Sequence, residues 1–159
     1  LPDVFAAYAA GLVDGEGCVR LNRCRRGNRV RYYPHVIVGF VTKEPLEKLK
    51  QVFGGSLLLR RHSKHFGKRS LWIWTVSCRS AERFLEVIVP YLLVKREQVE
   101  AILYYRREAR RLKNDPNHPN PIELKILAES TYSLLAQLKR GGMVREFGDF
   151  SGSVCQIAA

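Results

Sequence analysis

The sequence predicts an α+β domain built on an antiparallel sheet, and three observations carry the prediction. Segments with apolar residues at helical spacing alternate with paired strand-like segments. A Gly27-Asn28 step, suited to a tight hairpin, stands inside the first pair. The cationic excess is confined to the strand-bearing stretch. At 159 residues the chain can bury one real core and falls short of a comfortable two. Residues 1–140 are therefore read as one domain and 141–159 as an irregular tail. With 46% hydrophobic and 26% charged residues the composition is that of an ordinary globule. No apolar run approaches the ~20 residues of a membrane span, and no basic-then-apolar signal peptide opens the chain. Four cysteines without CxxC spacing (Cys18, Cys24, Cys78, Cys155) point to a reduced, intracellular protein rather than a disulfide scaffold.

The elements follow in order. Residues 3–14 read as a helix with Asp3 as N-cap. Residues 18–26 and 29–43 read as two strands around the Gly27-Asn28 turn. A short amphipathic helix over 44–53 carries Leu46, Leu49, Val52 and Phe53 and stops at Gly54-Gly55. A second strand pair occupies 56–63 and 69–77. Ala81, Phe84, Leu85, Ile88 and Val89 give 80–92 a core-facing helical stripe. Helices over 95–113 and 121–139 flank the polar, proline-rich stretch 115–121, and the last places Leu124, Leu127, Leu134 and Leu138 on one stripe.

Charge narrows the partner. Residues 17–81 hold 15 Lys/Arg against two acids, whereas the rest of the chain is nearly neutral, although the total is +12. Such a continuous footprint suits a polyanion; a merely basic surface or an anionic membrane is the blander alternative. Eighteen of the 27 cations are Arg, whose fork matches phosphates and guanine edges. Alternation in the first strand pair puts Arg20, Asn22, Cys24 and Arg26, with Arg29, Arg31, Tyr33 and His35, on one face. Val19, Leu21, Val30, Tyr32, Val36 and Val38 take the other. A two-stranded ribbon bearing those polar groups fits the major groove, and a solvated sheet face is the alternative. Pro34 implies an edge position or a bulge. Arg61 in the later hairpin resembles the ribbon residues. Alternation does not decide between Trp72/Trp74 and Leu71/Ile73 as the core set.

The first helix carries the chemistry. Ala6, Ala7, Ala10 and Gly11 form a stripe of small residues against which a second helix can approach closely, with Phe5, Tyr8 and Leu12 on another face. The helix runs into Asp14-Gly15-Glu16-Gly17, two acids just before the most basic stretch. Acids beside a polyanion site are costly unless they hold a cation, which points to a hard divalent metal; a helix cap with incidental acids is the alternative. His62 and His65 do not share a face as zinc ligands.

Ala9 to Gly17, AAGLVDGEG, resembles the signature of the LAGLIDADG homing endonucleases, with Ala9 for Leu, Val13 for Ile, Gly15 for Ala and Glu16 for Asp. The helix–strand–strand–helix–strand–strand–helix order and the YLLVKREQ stretch extend the likeness over most of the chain. The resemblance implies an αββαββα core with an antiparallel DNA-binding sheet and extra C-terminal helices. It implies metal-dependent phosphodiester hydrolysis in double-stranded DNA. Glu16, with the Gly15 carbonyl, would hold Mg²⁺ or another divalent ion such as Mn²⁺, and Asp14 would shape the helix end. Lys95 would match the active-site lysine, and Lys43 the polar residue after the second strand. By the same resemblance, one motif in the chain implies a homodimer whose motif helices meet through Ala7, Ala10 and Gly11, bound to a long pseudo-palindromic site. An intron-encoded enzyme in an organellar or prokaryotic compartment is expected, with no membrane partner. Its rivals are a maturase binding intron RNA and a non-catalytic DNA-binding regulator.

Overall fold

The structure is a computed structural model that describes residues 3–27, 29–60, 70–114 and 121–139; at Arg26 and Arg29 only the backbone is described. The order is α1 (Asp3–Glu16), β1 (Gly17–Arg26), β2 (Arg29–Phe40), α2 (Glu44–Phe53), β3 (Ser56–Arg60), β4 (Leu71–Ser77), α3 (Cys78–Ile88), α4 (Arg96–Asn114) and α5 (Pro121–Lys139). This is the α+β arrangement expected. Two compact units result, Leu1–Leu103 and Tyr104–Ala159, with the boundary inside α4. No described helix is long and apolar enough to cross a membrane.

The four strands form one antiparallel sheet in the order β1-β2-β4-β3. One face carries Val19, Leu21, Val36, Val38, Trp74 and Val76, all buried, and α1, α2 and α3 pack on the sheet. Trp74 therefore belongs to the core, settling the ambiguity in β4, and Ile73 with Thr75 takes the opposite face. The Trp74 indole N–H donates to the Gly54 carbonyl at 2.8 Å, and its ring meets Phe84 edge-on at 5.0 Å. A buried indole needs both an apolar socket and a partner for its one polar atom. That contact explains Gly54-Gly55 beyond helix termination. At Gly55 φ is +88° and a Cβ would stand 2.4 Å from the Thr75 carbonyl oxygen.

The boundaries shift where local chemistry intervenes. α1 runs two residues beyond the expected end and takes Gly15 and Glu16 into the helix. β2 stops at Phe40 rather than residue 43. Pro90 ends α3, and Val89–Tyr91 continue as a 3₁₀ turn. Pro34 pairs with Leu21, one residue before the ladder to β4 begins at His35. On that side β2 is an edge through Pro34, so the proline withholds no hydrogen bond from a neighbour. Residues 21–26 and 29–34 consequently form a two-stranded ribbon projecting past the rest of the sheet.

In the second unit Tyr105, Ala109, Leu127, Ala128, Thr131 and Leu135 are buried. The α5 stripe is centred on Leu127, Thr131 and Leu135; Leu124, Leu134 and Leu138 flank it, half-buried. The buried Thr131 hydroxyl donates to the Leu127 carbonyl at 2.8 Å, satisfying it within the helix. The expected tail, 141–159, lies outside the described residues, as do Arg61, His62 and His65.

Candidate functional site

The C-terminal end of α1 is where the fold gathers its chemistry. The Asp14 carboxylate accepts three backbone N–H groups from the loop before α4: Leu93 at 2.7 Å, Val94 at 3.2 Å and Lys95 at 2.9 Å. The Lys95 ammonium returns the contact by donating to the Asp14 carbonyl oxygen. That carbonyl is among the last of α1, left without an intrahelical partner, and a cation there also complements the helix dipole. Burial alone would raise the Asp14 carboxyl. The bonds from Leu93, Lys95 and Val94 and the Lys95 charge outweigh it and hold Asp14 below its ordinary value.

Asp14 is thus fully used in joining two segments about 80 residues apart in sequence, roughly half the chain, a separation only tertiary structure closes. Its neighbours are left outward: Gly15 and Glu16 are exposed at the helix end, beside the half-buried Lys95. The turn into β1 is tight because a Cβ on Gly17 would lie 2.6 Å from the Val13 carbonyl oxygen, so no larger residue fits the step. Among the described residues no three His, Cys, Asp or Glu side chains cluster as a metal-binding group. The chain offers Glu16 as an exposed carboxylate, with the Gly15 carbonyl next to it at the helix end.

Lys43 sits apart in role. It precedes α2, its ammonium pairs with Glu47 at 2.6 Å, and it lies 5.1 Å from the Trp72 ring centroid. Its carbonyl accepts from the Leu46 and Glu47 N–H groups at 3.0 and 2.9 Å, which makes it the N-cap residue of α2.

The small-residue stripe of α1 divides differently from expectation. Ala6, Ala9, Ala10 and Val13 face the chain's own core, and Ala10 is fully buried. Ala10 is therefore corrected from an interface residue to a core residue: α1 needs small side chains to lie close on α3 and the sheet. Ala7, Gly11 and Gly15, four residues apart, are exposed, and a Cβ at either glycine would meet nothing within 4 Å.

The outer face of the sheet carries the second cluster. Register places Arg20 opposite His35, Asn22 opposite Tyr33 and Cys24 opposite Arg31. Arg20 Nε donates to His35 Nδ1 at 3.0 Å, and Asn22 Nδ2 to the Tyr33 hydroxyl oxygen at 2.7 Å. Burial, then the Arg20 charge, pushes His35 below the ordinary histidine value. Cys24 and Arg31 are exposed, and Cys18, Cys24 and Cys78 are in no disulfide. Sequence reasoning placed these residues on one face and missed their pairing. Counting outward from a two-residue turn at Gly27-Asn28 would have found both rows.

Solved structures with this arrangement exist. The chain superposes on the homing endonuclease I-CvuI bound to its target Sro1.3 with 2 mM Ca, at a TM-score of 0.64 and 18% identity, covering 97% of this chain and 92% of that one. The fold is that of the homing endonucleases. The archaeal intron-encoded homing endonuclease I-Vdi141I, complexed with DNA, gives a TM-score of 0.63 at 18% identity over 99% of this chain and 94% of that one. Against I-SmaMI bound to uncleavable DNA the TM-score is 0.54 at 15% identity, over 94% of this chain but only 46% of that one. No protein-family model matches the sequence, and no curated protein does.

Proposed function

We propose that this protein is a site-specific, divalent-metal-dependent DNA endonuclease that acts as a homodimer on a long pseudo-palindromic site. The observation that carries the reading is the Asp14 clamp. It fixes an exposed carboxylate, Glu16, and an ammonium, Lys95, at one helix end, beside a sheet whose outer face is lined with Arg, Asn and Tyr. Glu16 and the Gly15 carbonyl are oxygen donors, the kind a hard cation takes, and Mg²⁺ typically uses one or two carboxylates completed by water and substrate phosphate. When bound, the ion lowers the pKa of water and neutralises charge developing on the phosphate. The chain itself supplies Lys95 as a fixed cation for that developing charge and the sheet as the surface that sets register on the duplex. I-CvuI and I-Vdi141I are complexed with DNA, I-CvuI in the presence of Ca or Mg, which supports a DNA substrate and a divalent ion here.

Homodimerisation is supported by the exposed Ala7–Gly11–Gly15 row and by one acidic motif per chain, since each strand of a duplex needs its own carboxylate. The chain's match to just under half of I-SmaMI agrees with one such chain serving as half of a complete enzyme. The test uses a library of random duplexes incubated with Mg²⁺ or Mn²⁺. The expected result is double-strand cleavage of a narrow subset, abolished by chelation, with Glu16→Gln still selecting that subset but not cutting it. Selective binding of structured intron RNA with no cleavage under either metal would overturn the assignment in favour of a maturase.

A further inference from the structure

Two reading side chains on the outer face do not stand free. In adjacent cross-strand rows a residue of β2 holds one of β1: His35 holds Arg20, and Tyr33 holds Asn22. The first row has a stereochemical consequence. A guanidinium can fork onto a guanine either side-on, through Nε and one Nη, or end-on, through both Nη atoms. Arg20 Nε is engaged with His35 Nδ1 at 3.0 Å, so only the end-on fork remains. Since Nδ1 accepts, the ring proton is on Nε2 and the imidazole is neutral.

Resting on the proposed DNA-cutting function, we infer that His35 is a positioning residue that fixes Arg20 for end-on recognition of one base pair in each half-site, and does not itself read DNA. The chemistry makes the device conditional. Protonating Nδ1 removes the acceptor and sets two cations side by side. On this side of the sheet His35 faces Arg20 on β1, flanked by Cys18 and Asn22, and Ser77 on β4, with Tyr33 and Ile37 along β2. Arg20 is the charged group among them, and no carboxylate in that set would favour the imidazolium. Burial and Arg20 already bias the ring to the neutral form. Arg20 thus discriminates best above the histidine range and loses discrimination as pH falls.

Asn is the matched control, because its Oδ1 falls near the position of Nδ1, whereas Leu fills the space and accepts nothing. The experiment selects duplexes from a random pool with the full chain, comparing wild type, Arg20→Ala, His35→Leu and His35→Asn, each checked for an unchanged melting transition. In parallel, ¹⁵N NMR of the free protein reads the His35 tautomer. The expected result is an Nε2–H tautomer and, in His35→Leu, a loss of discrimination of roughly 5-fold to 100-fold at the positions Arg20→Ala relaxes. Other positions should stay unchanged, His35→Asn should recover most of the preference, and acidification should mimic His35→Leu in the wild type only. If wild type selects a site and His35→Leu keeps every preference, or relaxes positions Arg20→Ala leaves intact, this inference falls and the endonuclease reading stands. If wild type selects no sequence at all, the DNA-reading function falls, and this inference with it.

Discussion

A single carboxylate, Asp14, decides where the other reactive groups stand. Its three backbone bonds at 2.7–3.2 Å fix the 93–95 loop, and the Lys95 ammonium closes the clamp from the other side. Hydrogen bonds to a charged acceptor contribute about 1.5–3 kcal/mol, so Asp14→Asn should destabilise the fold by roughly that much at neutral pH. It should also slow cleavage through a displaced Lys95, although Glu16 is untouched. The folded carboxyl holds its proton more weakly than the unfolded one, whose ordinary value is 3.8. Its contribution is therefore complete above that value and is lost as pH falls through the lower folded one. Urea melts of wild type and Asp14→Asn should differ at pH 7 and converge in strong acid. A constant gap across the range would mean that geometry alone, and not charge, holds the loop. The motif put Asp14 at the helix end, but the sequence could not show what it grips, because Leu93–Lys95 come near it only through tertiary packing.

At the scale of elements, α1 has two small faces with opposite duties. Ala6, Ala9 and Ala10 let the helix settle close on its own core, while Ala7, Gly11 and Gly15 point out. Composition made the smallness legible and left the direction open, since alanine and glycine carry no polar signal to mark a surface. The strands were easier: period-two alternation separated Arg20, Asn22, Tyr33 and His35 from Val19, Leu21, Val36 and Val38 as the register does. It left Arg23 and Arg25 unassigned, and β4, apolar on both sides, resisted. The division of α1 gives a paired test. Ala10→Leu should overpack the protomer and cost about 1–3 kcal/mol of folding stability. At Gly11 a Cβ meets nothing within 4 Å in the chain, and the helix face there is exposed, so Gly11→Leu starts into open space. It should leave the monomer folded, with the modest gain of replacing a helical glycine, about 0.8–1 kcal/mol. It should, however, prevent self-association in sedimentation and abolish double-strand cleavage with it. A Gly11→Leu chain that remains an active dimer would place the subunit interface elsewhere.

At the scale of the whole chain, the charge asymmetry says what kind of contact each cation makes. Residues 17–81 hold the whole excess, and that segment includes the whole four-stranded sheet. Within it the arginines differ in freedom. Arg20 is half-buried and bonded to His35. Arg31 is exposed, on the part of β2 that projects past β4, opposite Cys24. A guanidinium without a fixed orientation is free to settle on the nearest phosphate, and such a contact carries no sequence information. Each phosphate neutralised on duplex DNA adds about 0.9 to the slope of log affinity against log salt. The proposed homodimer loses two contacts per substitution, so Arg31→Ala should flatten that slope by about 1.8. The wild-type advantage over Arg31→Ala would then shrink about twelvefold between roughly 50 and 200 mM salt. Base preferences should be unchanged, in contrast to Arg20→Ala, which should relax two symmetry-related positions. A salt titration combined with site profiling separates the outcomes. An altered base preference in Arg31→Ala with an unchanged slope would make Arg31 a second reader and extend recognition toward the tip of the ribbon.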